Sequence, residues 1–189
     1  LCCVNVPASA TLLAPLDLNE LVASADLIAI GRIVHATARR SEGGGVETAL
    51  SLGAYTLWKG AADGYLEFFV PGGRDGRYRT VVPGSPVLDE GDEVVVFLRQ
   101  VPGGRLVLAG FSQGLVPVSR RLSGGEATVL APAAASPTGG RIVRGDADRT
   151  RIPLGAFARQ IQDLVDRNRA EVEAARTRAR DRSKQGGAH

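Results

Sequence analysis

Glu93-Val-Val-Val-Phe-Leu-Arg99 sets five consecutive apolar residues, mostly β-branched or aromatic, between a Gly91-Asp92 turn and the turn Pro102-Gly-Gly104. A short run that is apolar on both parities and closed by turn residues predicts a strand buried on both faces. Arg105 to Ala109 is its expected hairpin partner, and Gln113 to Val118 continues as a short strand after Gly110. Upstream, Ala25-Asp-Leu-Ile-Ala-Ile-Gly-Arg-Ile-Val-His35 has the same two-sided character, with Gly31 where a barrel strand bends.

After the turn Ser41-Glu-Gly-Gly-Gly45 a strand is predicted from Glu47 to Trp58. Leu50 and Leu52 share one parity and Tyr55 and Leu57 the other, which a bulge at Gly53 reconciles. Tyr65 to Val70 forms a third strand with Leu66, Phe68 and Val70 inward, and residues 71–91 read as a long loop rich in Gly, Pro and Arg. Structureless loops longer than about 12–15 residues are usually functional or mobile, so this one marks a contact surface. From Arg120 to Arg144 the pattern weakens to a hairpin around Gly124-Gly125, an Ala/Pro/Ser linker at 131–137 and a short strand at 141–144.

Two helices flank these strands. Asp17-Leu-Asn-Glu20 is a capping-box signature for a helix over about 18–24, with Leu18, Leu21 and Val22 inward. Pro153 suits the first turn of a closing helix whose stripe Leu154, Phe157, Ile161, Leu164 and Val165 docks on the barrel. The expected fold is mainly β: a small barrel with a short N-terminal helix and a longer C-terminal one.

The first ten residues, Leu1 to Ala10, read as the remnant of a secretory signal peptide, since Ala8-Ser9-Ala10 has the small-x-small form of a cleavage site. A lipoprotein reading, with Cys2 or Cys3 as lipid anchor, stands beside it. Residues 11–166 form a single domain, as 44% hydrophobic residues suffice for one core, while 24 glycines and 5% aromatics indicate many turns. Residues 167–189 form a basic polar tail, helical or disordered. Positions 167–184 carry seven Arg or Lys against three Asp or Glu, a local +4 that leaves −1 for the rest of the chain. No apolar run reaches the roughly 18 residues of a membrane span. Both cysteines precede the expected cleavage site, which removes thiol chemistry from the processed domain.

The order of Ala25-Asp-Leu-Ile-Ala-Ile-Gly-Arg-Ile-Val34, Leu57-Trp-Lys-Gly60, Val82-Pro-Gly-Ser-Pro86, Gly91-Asp-Glu-Val-Val-Val-Phe-Leu98 and Gly110-Phe-Ser-Gln-Gly-Leu115 resembles a group of exported bacterial proteins of uncharacterised activity. The resemblance covers roughly residues 18–118. It implies a β-barrel of the oligonucleotide/oligosaccharide-binding type, similar in outline to the inhibitory domain of tissue inhibitors of metalloproteinases, and brings no activity with it. Those inhibitors chelate zinc through a Cys-x-Cys amino terminus, whereas Cys2 and Cys3 are adjacent.

Catalytic constellations are thin. His35 and His189 form no metal-ligand spacing, and a serine triad would need His35 as its base. Asp89, Glu90, Asp92 and Glu93 make an acidic run that suits a cation or a general acid/base pair, with a solvated turn as the plainer account. In Arg74-Asp-Gly-Arg-Tyr-Arg79 three guanidinium groups flank one ring. Arg74, Arg77 and Arg79 could grip an anionic sugar, phosphate or carboxylate while Tyr78 stacks, with Trp58 as a second stacking surface. A solvated loop is again the plainer account.

The expectation is therefore an exported, non-enzymatic module without cofactor or metal, binding a protein or an anionic glycan. Export and a near-neutral body disfavour nucleic acid. The alternative is an inhibitor-like or carbohydrate-active protein. Signal cleavage predicts that the native product begins at Thr11, as read by intact mass and amino-terminal sequencing; an acylated cysteine at the terminus would establish the lipoprotein reading instead.

Overall fold

The computed structural model describes residues 16–41, 44–120, 125–130 and 151–185, with side chains through 180. The signal remnant, the linker at 131–137 and the strand expected at 141–144 lie outside these residues.

Helix α1 spans Leu18–Ser24 and starts at the expected capping box: the Glu20 amide donates to Asp17 Oδ1 at 2.7 Å, and the Asp17 amide donates to Glu20 Oε2 at 2.8 Å. Leu18, Leu21 and Val22 are its buried face. At its other end the Lys59 ammonium donates to the carbonyls of Val22 and Ala25 at 2.7 and 2.5 Å. Burial holds this ammonium below the usual lysine range, against the opposing pull of Asp26.

Strands β1 (Leu27–Arg40), β2 (Val46–Lys59), β3 (Leu66–Pro71), β6 (Glu93–Gln100) and β7 (Leu106–Leu108) close into a five-stranded barrel. Around the barrel the order is β1, β2, β3, β7, β6 and back to β1; only the β3–β7 contact among these pairs is parallel. Between β3 and β6 lies a small hairpin, β4 (Gly73–Asp75) and β5 (Tyr78–Thr80). After β7 a 3-10 turn, Phe111–Gly114, leads into β8 (Leu115–Ser119), which pairs with β6 and with β9 (Thr128–Leu130). β10 (Arg151–Pro153) pairs with β9 and runs directly into α2 (Leu154–Gln185).

Two cores explain the strands that are apolar on both faces. Ala29, Ile33, Leu50, Leu52, Leu66, Phe68, Val70, Val94, Val96 and Leu98 fill the barrel. Ile28, Val95 and Phe97, of opposite parity on the same strands, pack outward against α1 and α2 with Val116, Val129, Phe157, Ile161 and Val165. Burying each such side chain contributes about 1.5–3 kcal/mol relative to exposure. Past Val165 the helix continues to Gln185 with residues 166–180 exposed, apart from a half-buried Asn168.

Several expectations need correction. β1 runs on to Arg40, because β2 pairs with it along that whole length. Residues 113–114 belong to the 3-10 turn, and Pro153 ends β10 instead of opening the helix. The loop 71–91 contains the β4–β5 hairpin, for which glycine at the first central position of the two-residue turn Gly76-Arg77 is a recognised signal. The bulge near Gly53 is present: Ile30 faces Thr56 while Arg32 faces Gly53, and Ala54 takes the extra left-handed position at φ 45°.

At the bend, a Cβ on Gly31 would lie 2.8 Å from Leu52 Cγ and Tyr55 Cβ. Gly31→Ala is expected to lower the unfolding free energy by about 1–3 kcal/mol, the usual cost of overpacking, measured by urea denaturation.

Candidate functional site

The arginine-rich segment is built by the β4–β5 hairpin. Its turn is Gly76-Arg77, with Gly76 at φ 58°, a left-handed value that glycine adopts without strain. Gly73 faces Thr80, Arg74 faces Arg79 and Asp75 faces Tyr78. Alternation along each strand therefore puts Arg74 and Arg79 on one face and Tyr78 on the other.

One face of the hairpin is pinned to the barrel. The Val46 amide donates to Thr80 Oγ1 at 3.0 Å, and Thr48 Oγ1 donates to the Gly72 carbonyl at 2.8 Å. A Cβ on Gly73 would sit 2.5 Å from Thr48 Oγ1, so only glycine lets the hairpin lie this close. On this side the Arg40 guanidinium stands 3.8 Å from the Tyr78 ring centroid, and Arg77 donates to the Tyr78 hydroxyl at 3.0 Å. Tyr78 is 43% exposed, but its ring already carries cationic neighbours from its own chain.

Arg74 and Arg79 instead line a groove of about 520 Å³ between the hairpin and residues 81–88. Thr48, Leu50, Val70, Pro71, Val82, Pro86 and Leu88 contribute to its walls, together with the strongly exposed Val81 and Val87. The lining holds no carboxylate and no aromatic ring. Arg74 donates to the Gly76 carbonyl at 3.2 Å, and neither arginine enters an ion pair among the described residues.

Trp58 is not part of this surface. It lies ten residues from Thr48 along β2, about 33 Å at the usual rise, and its half-buried ring meets Phe157 of α2 edge-on at 6.4 Å. The expected second stacking surface is instead a packing contact between barrel and helix.

A second groove, of about 770 Å³, flanks the same loop and went unnoticed in the sequence. Phe69 lies there beneath the guanidinium groups of Arg39 and Arg105, at 4.5 and 4.3 Å. Both arginines also bind Glu47, at 3.1 and 2.6 Å. Positions 39, 47, 69 and 105 are too far apart in sequence for any local pattern to join them.

The acidic run resolves into local structure. The Asp89 amide donates to Asp92 Oδ2 at 2.9 Å, and Glu90 Oε1 accepts from the Ala36 amide at 3.4 Å and stands 3.8 Å from His35 Nδ1. Glu93 receives a forked pair of hydrogen bonds from Arg120, both 2.5 Å. Among the described residues no group of His, Cys, Asp and Glu is arranged to hold a metal ion.

The bonds from Arg120 hold the Glu93 carboxyl below its usual range, with burial opposing and the charges of Arg120 and Arg32 assisting. A carboxyl depressed on folding contributes stability in full above its unfolded-state value, and that contribution is lost as pH falls through the folded one. Glu93→Gln should therefore lower the urea midpoint at pH 7. Its difference from the parent chain should begin to narrow as the pH falls past the ordinary glutamate value of about 4.3 and close as the pH falls further through the depressed folded value, as followed in denaturation curves across pH.

No protein-family model matches the chain, and no curated protein matches it.

Proposed function

We propose that this chain is an exported, non-catalytic binding module that meets an anionic partner, a protein or an acidic glycan, through the β4–β5 hairpin. The observation that carries the reading is the cross-strand pair Arg74 and Arg79, lining a groove with no carboxylate of its own. Like charges set opposite one another on a ribbon are destabilising, and the barrel does not need them for packing. A ligand that brings negative charge relieves the repulsion and gains charge-assisted hydrogen bonds.

Export rests on Ala8-Ser9-Ala10, and a lipid anchor through Cys2 or Cys3 would place the same hairpin at an envelope surface. Among the described residues no helix is long and apolar enough to cross a membrane. Arg77 and Tyr78, on the far side of the hairpin, extend the basic surface around its tip. In the same reading the basic end of α2 adds long-range attraction toward an anionic partner without forming the contact.

Changing Arg74, Arg77 and Arg79 together to Ala is expected to abolish recovery of the salt-sensitive partner in a native pull-down from fractionated cells, with the thermal melt not lowered. Retention of every partner by the triple variant would refute the assignment of this surface.

A further inference from the structure

Resting on that reading, the chemistry of the groove narrows the partner: we infer that it takes an extended acidic-aliphatic peptide segment of a partner protein. Sugar recognition draws on aromatic platforms, and neither Tyr78 nor Trp58 lines this groove. Tyr78 lies on the opposite face of the hairpin against Arg40, and Trp58 packs on Phe157. What remains is two guanidinium groups above a wall of Val81, Val82, Val87, Leu88 and two prolines.

Each hydroxyl lining the groove already makes a hydrogen bond within the fold, and of the three only Thr80 keeps its proton to donate. Thr48 donates to Gly72 and Ser85 donates to the Pro71 carbonyl, while Thr80 accepts from Val46. Polar recognition therefore falls mainly to the arginines, whose planar forks suit carboxylates. Val81 and Val87 are 69% and 88% exposed, an apolar surface that a hydrated glycan leaves unused and aliphatic side chains cover.

Geometry sets the spacing. Directly opposed residues of an antiparallel pair have Cα atoms about 4.5–5.5 Å apart. In an extended peptide, acidic side chains at i and i+2 share a face about 6.6–6.8 Å apart, within the spread of two long arginine side chains. Aliphatic side chains at the intervening and flanking positions then reach the valine wall.

The experiment measures fluorescence anisotropy of a fluorescein-labelled hexapeptide alternating valine and glutamate. Its glutamine counterpart and a heparin-derived hexasaccharide serve as rival probes. The glutamate peptide is expected to bind the parent chain, and Arg74→Ala with Arg79→Ala should weaken it about three- to tenfold, as for two solvent-screened ion pairs. Val81→Ser with Val87→Ser should also weaken it, both side chains being exposed enough to change without unfolding the barrel.

Equal binding of the glutamine peptide, or indifference to both double variants, would overturn the inference. Arginine-dependent binding of the hexasaccharide but not of the peptide would overturn the peptide class and leave the anionic surface standing. Failure of the surface itself would show separately, as unchanged pull-down by the triple arginine variant.

Discussion

The two-sided burial of β1 and β6 is the constraint on which the remaining architecture depends. These neighbouring strands supply Ala29, Val94, Val96 and Leu98 to the barrel interior and Ile28, Val95 and Phe97 to its outside. An outward phenylalanine and two β-branched residues cannot be left in water without forfeiting several kcal/mol, roughly 1.5–3 for each. Helices must cover them, so α1 closes over one part of this wall and Phe157, Ile161, Leu164 and Val165 of α2 over the other. The start of α2 is held in place by the Leu154 amide, which donates to the Ala127 carbonyl at 2.8 Å beside β9.

Covering that wall decides where a ligand can go. β2 runs between the two regions, with Trp58 at the helix-covered end and Thr48 beneath the hairpin. Around the hairpin and the neighbouring groove lie Arg39, Arg40, Arg74, Arg77, Arg79, Arg99 and Arg105, against the carboxylates of Glu47 and Asp75. A chain whose body is near neutral by count is thus strongly basic at one place. Folding has gathered cationic side chains that the sequence scatters over positions 39–105.

What could be read from the sequence was local or periodic. The capping box at Asp17 and Glu20, the run at Val94 to Leu98, the parity change at Gly53 and the stripe from Phe157 to Val165 each announce themselves within a few residues, and each is in the structure. What failed depended on partners distant in sequence. Trp58 at a strand end looks the same whether it faces a ligand or a helix, and its partner Phe157 comes about a hundred positions later. Likewise Arg74 and Arg79 could be named as candidates, but that they share a face follows only from the register of the hairpin, since a one-residue slip would put Arg74 on the side of Tyr78.

The hairpin also shows how a site can be made firm at the surface of a small barrel. Two opposed guanidinium groups in water repel by only about 1 kcal/mol at 4 Å, so the fold tolerates them without a counter-ion. An isolated two-stranded ribbon is marginal in water and would present those groups in many orientations. Here the ribbon is fixed on its other face by Thr80 to Val46, by Thr48 to Gly72 and by the close seat of Gly73 over Thr48. The backbone ordering needed for binding is thereby completed during folding, and mainly side-chain freedom remains to be lost on contact. Gly73 thus matters to recognition although it offers a ligand no side chain: its missing Cβ lets the arginine pair stand on a rigid base.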